Sequence, residues 1–235
     1  MDDLVKQISA NVANVRERIA VAAEKDGRTV DDIQLVAVSK YFGVAESAAL
    51  LAAGCPVLGE SRPQQLWEKA EANELATAGW HLIGHLQRNK VRRTLPLVSL
   101  IHSVDSLRLL KSINEIAQQL DLIASVLLEV NCSGETEKHG LEPDDLKRLL
   151  EVAPEYPHVV IRGLMTMAAR EGGESVAAEN FSKLRQLRDE VAPQCPPEVS
   201  LGELSMGMSH DFETAIREGA TIVRVGSLLF DGIER

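Results

Sequence analysis

The 235-residue chain is long enough for one large α/β barrel or two small domains with a substantial core. Its formal net charge of −10 argues against a general nucleic-acid or anionic-membrane binder, so any anion site has to be built locally. Cys55, Cys132 and Cys195 are odd in number and lack C-x-x-C spacing, which argues against a disulfide framework or zinc knuckle and for reduced thiols.

The chain start lacks the basic-then-apolar profile of a signal peptide, and no apolar run approaches the ~20 residues of a membrane span. A soluble cytoplasmic protein is expected. Leu4, Ile8, Val12, Val15 and Ile19 recur at steps of four and three between charged residues, which predicts an amphipathic helix over 3–25. Leu35-Val36-Ala37-Val38-Ser39-Lys40 reads as a strand buried on both faces, with a lysine where it ends. A helix over 44–51, a short strand over 56–58, the loop Gly59-Glu60-Ser61-Arg62, a helix over 63–76 and a strand over 80–83 follow. Gly84 to Lys90 turns into a short helix, and a strand over 98–102 ends at Ser103.

The next helix runs from Asp105 to about residue 119, with Asp105 or Ser103 as its cap. A strand over 124–130 leads through the polar loop 133–140 to a helix opened by Glu142-Pro143-Asp144-Asp145. A strand over 158–164 ends in Met165-Thr166-Met167. A mobile glycine-rich loop, 168–175, precedes a helix over 176–191. A strand over 199–204, a helix over 210–218 and a strand over 221–225 complete the pattern before Gly226-Ser227. Eight strands, each followed by a helix or helical turn, imply parallel strands with right-handed crossovers. At this length they favour one (β/α)8 TIM barrel spanning 1–235, with an extra N-terminal helix. An open doubly wound sheet is the alternative, weakened because no G-x-G-x-x-G follows a strand.

In such a barrel the strand C-termini form the active face. In an apolar pocket Lys40 would gain neutral amine and form a Schiff base with an aldehyde; the alternative is a side chain reaching out to water. Ser205-Met206-Gly207-Met208-Ser209 and Gly226-Ser227 end the seventh and eighth strands, the usual phosphate position of such barrels. Each alone reads equally well as a plain turn. Together with Lys40 they describe a site for a phosphorylated aldehyde, of which pyridoxal 5'-phosphate is the commonest. Arg224 faces into the barrel on this reading and offers its guanidinium to the ring nitrogen; a salt bridge to an acid on a neighbouring strand is the alternative. The pair His81 and His85 would not share a helix face, so no metal site is expected from it.

Several long motifs now carry a resemblance: residues 35–40, Trp80-His81-Leu82-Ile83-Gly84-His85-Leu86-Gln87, Ile101 to Ser106, Arg162 to Met167, Leu204 to Ser209 and Val223-Arg224-Val225-Gly226-Ser227. Over nearly the whole chain the sequence resembles the pyridoxal phosphate homeostasis proteins, the YggS or PROSC family. The resemblance implies a barrel like the N-terminal domain of alanine racemase, the fold-type III barrel. It implies pyridoxal phosphate on Lys40, with Ser209, Gly226 and Ser227 at the phosphate and Arg224 near the pyridine nitrogen. Met206 is a further candidate contact. Where the family usually has Gly-Glu-Asn this chain has Gly59-Glu60-Ser61, so Ser61 has to shorten that contact or use water. Phe230 is followed by Asp231-Gly232 instead of glycine, beyond the phosphate loop.

No second domain like a racemase's is expected past the eighth strand, and one lysine cannot handle protons on both substrate faces. A monomeric, non-catalytic carrier in cellular vitamin B6 homeostasis, handing the cofactor to apo-enzymes, is therefore expected over a racemase-like enzyme.

Overall fold

The computed structural model describes residues 2–135, 139–197 and 199–234; the middle of the polar loop, 136–138, lies outside them. Each short apolar run becomes a strand: β1 Gln34–Val38, β2 Val57–Glu60, β3 Gly79–Leu82, β4 Leu100–Val104, β5 Ala124–Glu129, β6 Val159–Met165, β7 Glu203–Ser205 and β8 Ile222–Val225. All neighbours pair in parallel, in sequence order, and β1 pairs with β8, so the sheet closes into a barrel. The open sheet is excluded. Helices α1 Asp2–Lys25, α2 Val44–Ala52, α3 Pro63–Ala70, α4 Val91–Thr94, α5 Leu107–Gln119, α6 Pro143–Val152, α7 Gly173–Val191 and α8 Phe212–Arg217 accompany it.

Helix α1 buries the expected stripe of Ile8, Val12, Val15 and Ile19 and packs on α2 and α8. Asn11 donates from its side chain to the Leu229 carbonyl at 3.2 Å and the Asp231 carbonyl at 2.9 Å, which ties the first helix to the turn after the last strand.

Apolar residues separate into two clusters, a large one between sheet and helices and a small one of Val36, Leu100, Leu127, Met165 and Ile222. The small cluster fills the lower barrel interior. Because strand side chains alternate with period two, the residues two places on from Leu100, Leu127 and Ile222 also point inward. They are His102, Glu129 and Arg224, all buried. A polar layer therefore lies above an apolar floor, at the strand ends where the site is expected.

Several boundaries differ from the sequence expectation. Strand β2 runs on through Glu60, because sheet pairing continues to Leu82 of β3. The third helix stops at Ala70; Ala72 is extended (ψ 131°), and Asn73–Leu75 forms a separate 3-10 turn. Ser106, and not Asp105 or Ser103, caps α5 by accepting from the Leu109 amide at 3.3 Å. Ser103 instead donates to the Gly84 carbonyl at 2.6 Å. Strand β7 is only three residues long, and α7 begins at Gly173, within the stretch expected to be loop.

Candidate functional site

Lys40, Ser61, Ser209, Arg224, Gly226 and Ser227 line one cavity of about 340 Å³ at the C-terminal mouth of the barrel. Chain distance explains why only closure brings them together: Lys40 leaves β1 and Ser61 leaves β2, Ser209 follows β7, Gly226 and Ser227 follow β8, and β1 pairs with β8. The two loops touch directly, since the Gly226 amide donates to the Ser209 hydroxyl at 3.1 Å. Gly226 then opens the 3-10 turn Ser227–Phe230, whose first amides are not used within the turn. Lys40 is half-buried, with its Nζ 4.9 Å from the centroid of the exposed Tyr41 ring. The amine is therefore at the wall of the mouth and not in a sealed apolar pocket. Phe42 and Phe230 stack with centroids 3.8 Å apart, joining the loop after β1 to the turn after β8.

Met206 is not part of this lining. Its side chain is fully buried in the large apolar cluster and its amide donates to the Ile222 carbonyl at 3.1 Å, so neither is free to face a ligand. Alternation from the inward-facing Ser205 sends Met206 outward, and the turn at Gly207 (φ 91°) then brings Met208, with Met167, to the mouth. Gly84 also lines the cavity, and a Cβ there would fall 2.3 Å from the Ser61 carbonyl oxygen. Close passage of these two loops is what sets Ser61 at the rim.

The acceptors for Arg224 are not carboxylates. One terminal nitrogen donates to the Ser205 hydroxyl and the other to the Thr166 carbonyl at 2.9 Å. Burial lowers this guanidinium to about 10, opposed by the charges of Glu129 and Asp211, so it remains a cation at neutral pH. Its remaining N–H groups are left for the cavity.

Behind it runs a buried relay the sequence reading missed. Ser205 Oγ lies 2.9 Å from His102 Nδ1, and His102 Nε2 lies 3.0 Å from His81 Nδ1. A guanidinium only donates, so the serine accepts from it, and His102 joins that serine to His81 through its two ring nitrogens. Both rings are neutral: burial pushes His81 down to about 4, and burial with the His81 and Arg224 charges holds His102 well below the usual range. Period two from Leu100 is the signal that could have found His102.

A second buried device holds the lysine end of β1. Lys69, on α3, donates to the Ser39 carbonyl at 2.9 Å, the Ser39 hydroxyl at 3.2 Å and Glu60 Oε2 at 2.7 Å. All three ammonium hydrogens are used. The other Glu60 oxygen accepts from the Ser61 amide at 2.8 Å. One ion pair thus braces Ser39 and Ser61, the neighbours of Lys40 and of the opposite rim. The sequence reading did not single out Lys69, because in one dimension it is an ordinary helix lysine.

Residues 6–233 match the family model described as alanine racemase, N-terminal domain. A pyridoxal phosphate homeostasis protein of Aquifex aeolicus is 43% identical over 93% of this chain and 95% of its own length. The structure of PipY from Synechococcus elongatus, solved with PLP bound, is 34% identical over 95% of this chain and 99% of that one, with a TM-score of 0.84. A Clostridium difficile alanine racemase is similar in fold only: 17% identity, a TM-score of 0.75, and 96% of this chain against 56% of the enzyme.

Proposed function

Because the chain belongs to the pyridoxal phosphate homeostasis family, built on the alanine racemase N-terminal fold, we propose that it binds pyridoxal 5'-phosphate in the Lys40 cavity. We propose further that it acts as a non-catalytic cytoplasmic carrier of that cofactor, able to supply apo-enzymes. When bound, the cofactor supplies an aldehyde that a primary amine can hold covalently and a conjugated ring that absorbs visible light.

The observation that carries this reading is the joining of the two anion-gripping turns beside the β1 lysine, through the Gly226 amide and the Ser209 hydroxyl. Lys40 supplies the amine. Ser227 supplies a backbone amide and a hydroxyl and Ser209 a hydroxyl, donors suited to a phosphate at a turn N-terminus, and the Gly226 amide holds the Ser209 hydroxyl in place. Arg224 supplies a donor that cannot take up a ring proton, so a pyridine nitrogen beside it stays unprotonated and the ring is a weak electron sink. Met167, Met208, Ile83 and the Phe42–Phe230 pair supply apolar wall. The homeostasis names of the relatives favour storage and hand-over of the cofactor over turnover of an amino acid. Among the described residues no helix is long and apolar enough to cross a membrane.

The test is borohydride reduction of protein reconstituted with pyridoxal phosphate, followed by peptide mass analysis. The cofactor mass is expected on the Lys40 peptide, with no label in Lys40→Ala. Label on another lysine, or none, refutes the site. Ser209→Ala keeps the linkage and weakens cofactor retention by roughly tenfold or more, the worth of a hydrogen bond to a charged group. Equal retention would remove Ser209 from the phosphate grip. Exchange of the α-hydrogen of amino acids no faster than with free cofactor is expected from a carrier; faster exchange would make the protein an enzyme.

A further inference from the structure

We propose that His85, Asp105 and His139 form a binding site for a divalent transition-metal ion of the zinc class, separate from the cofactor cavity. The three ligands come from three consecutive strand ends: His85 follows β3, Asp105 follows β4, and His139 lies in the connection from β5 to α6. Asp105 Oδ2 is 3.2 Å from His85 Nδ1 and 3.7 Å from His139 Nδ1. The two imidazoles stack at 4.4 Å with planes 15° apart beside the same carboxylate oxygen; because a ring nitrogen binds an ion in the plane of its ring, taking up the ion requires at least one ring to turn out of this stack.

The spacing of the carboxylate oxygen from each imidazole nitrogen suits three ligands of a four-coordinate ion. Tetrahedral zinc, with bonds of ~2.0–2.2 Å to nitrogen and oxygen, sets neighbouring ligand atoms about 3.3–3.5 Å apart. The two oxygen-to-nitrogen separations bracket that value, and all three ligand atoms lie within 4.8 Å of one another. The remaining closure falls to the imidazoles, whose side chains are 42% and 62% exposed, while the carboxylate is 13% exposed and fixed. Ser106 donates to the other carboxylate oxygen at 3.2 Å, leaving Oδ2 for the ion. The Ser103 hydroxyl pins the Gly84 carbonyl next to His85 at 2.6 Å. On the far side, the Leu141 amide donates to the Glu129 carbonyl at 2.7 Å and anchors the chain just past His139.

Two imidazoles and one carboxylate favour zinc, nickel, cobalt or copper over the harder magnesium and calcium ions. A fourth position faces the open cavity of about 450 Å³ that His85 and Asp105 line. The sequence pair His81 and His85 does not supply the ligands, because His81 points into the barrel toward His102. An ion here would fasten the β5–α6 connection to the rims of β3 and β4, one residue from Gly84 in the wall of the cofactor cavity.

Equilibrium dialysis of the tag-free, reduced full chain against Zn²⁺ tests the site, with Co²⁺ as a spectroscopic stand-in. One saturable equivalent is expected, with a four-coordinate Co²⁺ spectrum lacking thiolate charge transfer. His139→Ala and His85→Gln should each weaken binding more than about tenfold, and Cys132→Ser should leave it unchanged. The cofactor absorbance of His139→Ala, which leaves the cofactor cavity intact, reports that the variant is folded. Non-saturable uptake, binding retained in both histidine variants, or binding lost in Cys132→Ser would overturn the proposal.

Discussion

Replacing Lys69 by methionine is expected to cost about 3–5 kcal/mol of folding stability, the cost of leaving one partner of a buried ion pair uncompensated. Glu60 is fully buried, and without the ammonium its Oε2 loses a 2.7 Å partner in a place water does not reach. The Ser39 carbonyl and hydroxyl lose their shared donor in the same step. Because Ser39 precedes Lys40 and Glu60 holds the Ser61 amide, the damage extends beyond stability: the cofactor linkage at Lys40 should become easier to hydrolyse. The double variant Lys69→Met with Glu60→Gln should recover part of the loss by removing the stranded charge. Denaturant titration of the single variant within about 1 kcal/mol of wild type would show that the pair is not a brace.

Glu129→Gln is expected to stabilise the protein at pH 8 and to leave it nearly unchanged at pH 5. Burial raises Glu129 from 4.5 to about 7, with repulsion from Asp105 adding to it and His139 and Arg224 opposing. The folded value lies above the unfolded one, so the native state holds the extra proton between pH 4.5 and 7. Stability from this group is present below the unfolded value and lost as pH rises through 7. The ionised carboxylate then costs about 3 kcal/mol, which the amide avoids. His81 acts with the opposite sign, since its folded value of about 4 lies below the ordinary 6.5 and stability is lost as pH falls through that interval. The two windows overlap between pH 4.5 and 6.5, where their opposite slopes cancel, so these two groups leave wild-type stability flat there, whereas in the variant the His81 slope remains and stability climbs up to about pH 6.5 without falling again by pH 8. A difference between variant and wild type that is the same at pH 5 and pH 8 would mean Glu129 does not titrate there.

Neither of these groups stood out in one dimension, and the reason is the same for both. The eight-strand rhythm is a local property: short runs of three to seven residues bounded by glycine, proline and polar turns dictate strands, and the alternation with amphipathic stretches dictates parallel order. Sites at strand ends could thus be listed from the sequence. Lys40, Ser61, Ser209, Arg224, Gly226 and Ser227 do line one cavity, whereas Met206 does not, because it still follows the alternation of the strand and the Gly207 turn beyond it brings Met208 to the mouth. Helix boundaries at Ala70 and Gly173 differ because backbone conformation sets them: Ala72 is extended just past the third helix, and Gly172 (φ 107°) turns the chain into the seventh.

The amino-acid sequence alone determined the parallel eight-fold order, the family and the inventory of groups at the barrel mouth, since each is written in local pattern and motif. Only the closed structure decided which of those groups meet. The partners Lys69 with Ser39, His102 with Ser205, and His85 with Asp105 and His139 lie on different βα units. Hydrogen bonding and charge act over a few ångströms of space, and that proximity is set by strand tilt, register and side-chain facing around the whole barrel.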